Sequence, residues 1–119
     1  MSKRMVWGGV AGLGLILVVA GCALLGNLHP IASFTATPTN GNSPLSVDFD
    51  ASASSDPDGT IDAFLWDFGD GQTASATVPT LTHVYTNVQS NPQIYTAILT
   101  VTDNDGADDT AVQNITVNP

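Results

Sequence analysis

Residues 66–71 read Trp66-Asp67-Phe68-Gly69-Asp70-Gly71, and this string lies between two short segments rich in strand-forming residues. Asp-Gly pairs favour tight turns, because Gly adopts a positive φ angle without strain and Asp tolerates one. Two further pairs, Asp58-Gly59 and Asp105-Gly106, separate other segments of the same kind. The decisive stretch and its neighbours therefore predict short β-strands that are joined by tight turns.

The chain beyond Pro30 has no long stretch of helical periodicity. Its β-branched and aromatic runs alternate with clusters of Pro, Gly, Asn, Asp and Ser, which is typical of an all-β sandwich. Residues 95–102 alternate most clearly, and this pattern turns Tyr95, Ala97, Leu99 and Val101 inward. The predicted strands, about seven in number, are Ile31–Thr37, Leu45–Asp50, Ile61–Asp67, Thr73–Ala76, Thr80–Tyr85, Ile94–Asp103 and Ala111–Val117.

Four strings in order resemble those of one family: residues 55–61, 66–71, 83–85 (His-Val-Tyr) and 99–106 (Leu-Thr-Val-Thr-Asp-Asn-Asp-Gly). Together they are similar to a PKD domain, the polycystic kidney disease repeat, over about residues 31–118. The resemblance implies an immunoglobulin-like sandwich that serves as a spacer, an adhesion unit or an accessory domain beside surface or secreted hydrolases. One departure is residues 86–94, which are longer than the short turn that the family usually has there.

The aromatic residues of the domain are expected in its core. Trp66 resembles the core Trp of an immunoglobulin-like sandwich, which fills the space that a disulfide occupies in antibody domains. Phe68, Tyr85 and Tyr95 are predicted to pack with it. No aromatic side chain is then left to form an exposed platform for sugars.

The N-terminus has the charged and then apolar order of a secretory signal, with Lys3 and Arg4 followed by uncharged residues 5–20. It ends Val19-Ala20-Gly21-Cys22, which resembles the lipobox of bacterial lipoproteins. This resemblance implies a signal peptide over residues 1–21, cleavage before Cys22 and lipidation of its thiol. Residues 22–30 would then be a connector that reaches ~30 Å at most, before a domain over residues 31–119.

An uncleaved transmembrane helix is the alternative, since residues 5–26 are uncharged and long enough to cross a bilayer. The helix propensity of this segment is lowered by five of its glycines, Gly8, Gly9, Gly12, Gly14 and Gly21. Both interpretations put the domain on the outer side of a membrane. Cys22 is the only cysteine of the chain, so no intramolecular disulfide can form.

Charge is distributed unevenly along the chain. Lys3 and Arg4 are the only basic residues apart from two His, and all eleven acidic residues are Asp at or beyond position 48. The part after Arg4 therefore has a formal charge of −11 before its His residues are considered. Nucleic acid is excluded as a partner, because binding phosphates requires Lys and Arg.

No catalytic residue is expected. His83 is the only His within the predicted domain and lies on a strand without a recognisable nucleophile turn. We interpret it as a structural His that bonds a neighbouring backbone group. Asp67 and Asp70 flank a tight turn, so they are interpreted as turn-capping residues rather than a hydrolytic pair.

Calcium is the expected cofactor. The Asp-Gly loops are not EF-hands, because Leu65 or Val112 would stand where a bidentate Glu is needed. Some relatives attached to collagen-degrading enzymes hold calcium with carboxylates that match Asp56 and Asp103. Weaker candidates for the same site are Asp58 and, in the connector, Asn27. A role of these residues in turn formation alone is equally consistent with the sequence.

The sequence thus predicts a non-catalytic, membrane-anchored, extracytoplasmic module that acts by protein contact, adhesion or spacing at the cell envelope. Its expected partners are a membrane, through the lipid anchor, and an envelope or extracellular protein. Two alternatives remain. The chain is an accessory-domain fragment of a larger secreted or surface hydrolase, or it is a purely structural spacer.

Overall fold

The computed structural model describes residues 26–119, which form eight β-strands in two sheets. The predicted signal peptide and Cys22 lie outside the described residues. Within them, no helix is long and apolar enough to cross a bilayer. The strands are β1 (Thr35–Thr37), β2 (Asn40–Asn42), β3 (Leu45–Asp50), β4 (Ile61–Asp67), β5 (Thr73–Ala76), β6 (Thr80–Tyr85), β7 (Gln93–Asp103) and β8 (Asp108–Asn118).

The two sheets form the predicted sandwich. The smaller sheet has the strand order β1-β3-β6, and the larger has the order β2-β8-β7-β4-β5. All neighbouring strands are antiparallel except β2, which runs parallel to the end of β8. The pairing of β4 with β7 places Ile61 opposite Asp103, so the beginning of β4 and the end of β7 lie at the same end of the sandwich.

Four strands, β3 to β6, have the predicted bounds, but the first predicted strand is shorter than expected. Ile31 forms only an isolated bridge with Ser55, and regular pairing begins at Thr35. Between them, the Ser54 hydroxyl accepts a hydrogen bond from Ser33 N and donates one to Ser33 O. The Ser54 side chain therefore satisfies the backbone N–H and C=O of Ser33, which a neighbouring strand would bond in a continuous β-ladder.

The core lies between the sheets and is centred on Trp66, whose side chain is fully buried. The Phe34 ring meets the Trp66 indole edge-on, with centroids 5.2 Å apart, and the Phe49 ring lies 5.3 Å from it. The other fully buried large side chains are Pro30, Val47, Phe49, Tyr85, Leu99, Val101, Ile115 and Val117. The predictions that Trp66, Phe68 and Tyr85 belong to the core are confirmed.

Tyr95 differs from the prediction, because it is only half-buried. Its ring stacks on that of Tyr85, with centroids 5.1 Å apart, and its hydroxyl donates to Thr86 O at 3.4 Å. A hydroxyl at the end of the ring needs a polar partner, which the loop at the margin of the core supplies. Tyr95 therefore packs against the edge of the core and is not one of its buried residues.

Candidate cation site

Two connections meet at the end of the sandwich where β4 begins and β7 ends. Residues 51–60 lead from β3 to β4, and residues 104–107 form the turn from β7 to β8. They are joined by two hydrogen bonds, from Asn104 N to Thr60 O at 3.0 Å and from Thr60 N to Asn104 Oδ1 at 3.1 Å. The first connection carries Asp56 and Asp58, and the last residue of β7 is Asp103.

Asp103 shapes its own turn. Its Oδ1 atom accepts hydrogen bonds from Asp105 N and Ala107 N, both at 2.9 Å. Gly106 has a φ angle of 94°, which explains the Asp-Gly pair at this turn. Asp103 is almost fully buried. The turn therefore holds its carboxylate in one position at the end of the sandwich.

The four residues predicted from the sequence to form one site lie together. One carboxylate oxygen from each of Asp56, Asp58 and Asp103 can be chosen so that all three lie within 4.8 Å of one another. Asn27 Nδ2 donates to Asp103 Oδ2 at 2.7 Å. In this orientation the Asn27 amide offers a donor, and a rotation of the amide by about 180° would offer its oxygen instead.

The spacing of these oxygens fits one hard cation. Calcium binds oxygen ligands at ~2.3–2.6 Å, so two ligand oxygens lie no further apart than about 5 Å. The limit of 4.8 Å among the three carboxylates meets this condition. Calcium takes ~6–8 oxygens, so the Asn27 amide oxygen, a backbone carbonyl and water would have to complete the set.

Asp56 also carries an unsatisfied acceptor. Its Oδ2 atom is buried and has no hydrogen-bond partner among the described residues. A buried polar atom without a partner is costly, and a bound cation would satisfy it. Gly59 packs against this atom, because an added Cβ would lie 3.0 Å from Asp56 Oδ2 and would collide with the Asn104 amide oxygen.

The carboxylates perturb one another. Burial raises the pKa of Asp56, and the nearby side chains of Asp58 and Asp103 raise this pKa further. Burial would also raise the pKa of Asp103, but hydrogen bonds from the Asn27 side chain and the backbone of its own turn outweigh it and lower that pKa. Asp103 is thus held as a carboxylate, and no Lys or Arg among residues 26–119 offers the neighbouring Asp56 a counter-charge.

The connector contacts the same end of the domain, and the sequence did not reveal these contacts. Leu28 N donates to Asp58 Oδ2 at 2.9 Å, and just after the connector Ala32 N donates to Asp109 Oδ2 at 2.8 Å. His29 Nδ1 lies 3.2 Å from Asp108 O. The donors in these contacts are backbone N–H groups, which every residue except Pro has, so their positions could not be predicted from residue types. On the acceptor side, the acidic pair Asp108-Asp109 was the one sequence feature that could have suggested a contact with the connector.

The candidate catalytic residues lie at the opposite end of β4. His83 Nε2 is 2.7 Å from Asp70 Oδ2, and the imidazole stacks on the Phe68 ring with centroids 3.8 Å apart. The expectation that His83 bonds a backbone group is therefore wrong, because the β4–β5 turn places the Asp70 carboxylate within hydrogen-bond distance of the imidazole. The turn-capping interpretation is confirmed, since Asp67 Oδ1 accepts from Gly69 N and Asp70 Oδ1 accepts from Gln72 N.

Comparison with known proteins gives one consistent result. The family model of the PKD domain matches residues 27–117. Over 91 residues the chain is 42% identical to the pre-pro-metalloprotease PrtV of Vibrio cholerae. The matched region is 76% of this chain and 9% of that protein. The chain spans about a tenth of the length of the curated relatives it matches.

Solved structures agree in fold. The PKD1 domain of the Vibrio cholerae metalloprotease PrtV superposes with a TM-score of 0.63 and 38% identity, over 77% of this chain and 100% of that one. A chain from work on the promiscuous specificity of carbohydrate-binding modules of the β-sandwich superfamily has a TM-score of 0.72 and 41% identity, over 79% and 36% of the two chains. With its PKD motifs, its two-sheet sandwich and these relatives, the chain belongs to the PKD family, and residues 27–117 are a non-catalytic PKD domain.

Proposed function

We propose that the chain is a membrane-anchored, extracytoplasmic PKD module that spaces or orients what it is attached to and acts by protein contact. The observation that carries this proposal is the attachment of the connector to the domain. In the connector, Asn27 and Leu28 donate hydrogen bonds to Asp103 and Asp58, and Ala32, just after the connector, donates to Asp109. The end of the sandwich that carries these carboxylates and Asp56 is called the acidic end. A connector held in this way orients the domain relative to the segment before it.

Calcium is proposed as the ion of the acidic end, with Asp56, Asp58 and Asp103 as its ligands and Asn27 as the ligand from the connector. The close approach of the three carboxylates and the unsatisfied Asp56 oxygen support this assignment. When bound, the ion would supply the positive charge that a domain with no Lys or Arg lacks. Ligation by Asn27 would then tie the connector to both loops and stiffen the joint.

The anchor is proposed to be a lipid on Cys22. The support for it is the lipobox-like string that ends at this cysteine, and the short interval between Cys22 and Asn27. With so few residues between them, the acidic end of the domain would lie next to the membrane. Extracytoplasmic location is supported further by similarity to a pre-pro-metalloprotease, because a pre-pro form is typical of exported enzymes.

A second function is favoured by the comparisons. The chain covers only 9% of the metalloprotease that it resembles, so a PKD domain of this kind can be one accessory part of a large hydrolase. The reading frame of the gene around the codons of this chain tests this candidate. A hydrolase domain encoded in the same frame would favour the accessory-domain function over the anchored module. A stop codon directly after the codon for Pro119 would exclude a hydrolase domain downstream.

Binding of sugars is not proposed, although one similar structure is described in terms of carbohydrate-binding modules. Sugar platforms need exposed aromatic rings. Every aromatic residue within residues 26–119 is buried, except Tyr95, which is half-buried and stacked on Tyr85. A purely structural spacer remains, and a pull-down from envelope extract that recovers no protein would favour it.

Calcium binding is tested by thermal unfolding of residues 26–119 in EDTA, calcium and magnesium. Binding to the folded form alone adds about 2.7 kcal/mol of stability at a hundredfold excess over Kd. We expect calcium to raise the Tm much more than magnesium, which demands stricter octahedral geometry and keeps its waters. Equal shifts with the two ions would contradict the proposal, because screening of an acidic surface does not distinguish them.

A charge-matched control separates the site from general screening. The double variant Asp56→Asn/Asp103→Asn should lose the calcium-specific shift. The double variant Asp48→Asn/Asp50→Asn removes the same charge from the outer face of β3 and should keep it. Retention of the shift in the first variant, with its fold intact by circular dichroism, would reject these ligands.

A further inference from the structure

The two sheets have four edge strands, and these differ in length. Strands β1, β2 and β5 have only three, three and four residues. The fourth edge strand, β6, has six residues, and no strand among residues 26–119 pairs with its outer side. Its register with β3 has no bulge, and Thr80–Tyr85 includes no Pro, Lys or acidic residue. Short length, bulges, Pro and charged side chains usually protect an exposed edge, so β6 is open to a further strand.

The side chains beside this edge form two parallel rows on the outer face of the smaller sheet. The register places Asp48 of β3 opposite Thr82 of β6. It places Asp50 opposite Thr80 in the same way, and all four side chains are exposed. The Thr82 hydroxyl donates to Asp48 Oδ1 at 2.8 Å, so this carboxylate lies towards β6. Hydrogen bonds from Ser52 lower the pKa of Asp50 and hold it as a carboxylate.

A third carboxylate lies beside the same strand. Asp70 Oδ2 is 2.7 Å from Nε2 of His83, which belongs to β6. Residues 26–119 contain no Lys or Arg that could neutralise these three carboxylates. The edge therefore has a negative potential, which attracts a basic strand and disfavours an acidic one.

An added strand would bring long basic side chains close to the two rows. Neighbouring strands lie ~4.8 Å apart, so the backbone of a strand beside β6 would lie ~10 Å from that of β3. Alternate side chains of a strand point to the same face, so every second residue would stand beside Thr80 or Thr82. The flexible stem of a Lys or Arg at these positions extends over the threonine towards Asp50 or Asp48.

We propose that the free edge of β6 binds an extended peptide segment of a partner protein, with Lys or Arg at alternate positions, as a fourth strand of the smaller sheet. Backbone hydrogen bonds would hold the peptide, and the two rows would select its basic side chains. This inference rests on the proposed function as a contact module and names the chemistry of the partner. A second copy of the domain fits less well, because its residues 26–119 bring no Lys or Arg to either row.

The test is an NMR titration of residues 26–119 with the synthetic peptide acetyl-TKTKTKT-amide. The PKD1 domain of the Vibrio cholerae relative has a crystal structure as a separate chain, which indicates that this part folds alone. Working in EDTA removes the proposed calcium site from the result, so failure here would not bear on the anchor or on calcium. We expect saturable shifts of the Thr80–Tyr85 amides, and none at ~5 mM peptide would overturn the proposal.

Two control peptides separate strand addition from general attraction to an acidic surface. Acetyl-TETETET-amide has the opposite charge and should not bind. The lysine peptide with N-methyl groups on its internal residues keeps its charge but has lost its backbone donors, so it should not bind either. Equal binding of the N-methylated peptide, or shifts centred on the acidic end, would overturn the proposal.

Matched variants locate the contact. Thr82→Lys opposes the lysines of the peptide and offers Asp48 a cation, so it should weaken binding at least ~10-fold. Thr110→Lys makes the same change at an exposed position of β8 and should leave binding unchanged. Asp48→Asn/Asp50→Asn replaces Thr82→Lys if that variant does not fold. Equal effects of the β6 and β8 variants would overturn the proposal.

Sedimentation equilibrium of the domain without peptide tests the other occupant of this edge. We expect a monomer, because two copies offer each other no cation. A dimer that Thr82→Lys abolishes would show that β6 pairs with a second copy, and it would overturn the assignment of a basic peptide.

Discussion

Trp66 is the single side chain on which the core depends most. Its indole is fully buried between the sheets and contacts Phe34 and Phe49. Truncation of a large aromatic side chain in a core costs about 3–5 kcal/mol, so Trp66→Ala should lower the free energy of unfolding by this amount in a urea titration. Leu65→Ala on the opposite face of the same strand is the control and should cost much less. A loss below about 1 kcal/mol for Trp66→Ala would contradict the core assignment.

Two glycines of the β4–β5 turn have the same backbone requirement but different surroundings. Gly69 and Gly71 have φ angles of 80° and 93°. A Cβ on Gly69 would collide with the Thr96 backbone, whereas one on Gly71 would meet nothing within 4 Å. Gly71→Ala should therefore cost about 1–2 kcal/mol for the positive φ alone. Gly69→Ala should cost clearly more in the same urea titration, and equal costs would show that the contact with β7 is unimportant.

At the scale of elements, a buried amide organises the loop between β6 and β7. Asn87 Nδ2 donates to Asn91 O and Val117 O, both at 2.9 Å, and Asn87 Oδ1 accepts from Gln89 N. These hydrogen bonds explain how the connection between β6 and β7 is held in one conformation. The amide ties the loop to the last strand, β8, across the end of the sandwich.

Replacement of this amide should be costly. Asn87→Ala leaves two carbonyls without their donor, which predicts a loss of about 1–3 kcal/mol. Asn91→Ala alters an exposed side chain of the same loop and should change the stability by about 0.5 kcal/mol or less. Chemical unfolding of both variants checks this, and similar losses would mean that the side chain of Asn87 does not hold the loop.

The whole molecule is expected to be attached to the membrane through its N-terminal segment. If Cys22 carries the lipid, Cys22→Ser should abolish both cleavage and lipid incorporation, and the full-length chain should lose its partition into the detergent phase as a lipidated product. Ala23→Ser leaves the cysteine in place and should behave as the wild type. Metabolic labelling with a fatty acid, followed by phase separation, measures both steps. The same cleaved, detergent-partitioning product from Cys22→Ser would contradict lipidation at this residue.

Strands whose alternation and bounding turns lie within one short segment could be predicted from the sequence alone. The bounds of β3 to β6 were predicted correctly, because alternating burial and turn residues are encoded within each segment. Strand β2 was missed, since Asn40-Gly41-Asn42 has no apolar alternation and is a strand only through its pairing with residues 116–118 of β8. The polar beginning of β8 at Asp108 was missed for the same reason.

For the candidate site too, the residues could be predicted from the sequence, whereas their arrangement in space could not. The chain contains Asp56, Asp58 and Asp103 in recognisable turn motifs, and the family resemblance indicated which of them to group with Asn27. Their separation in space depends on the pairing of β4 with β7 and on the path of the connector. These distances could not be predicted from the sequence, because they arise from contacts between residues that are far apart in the chain.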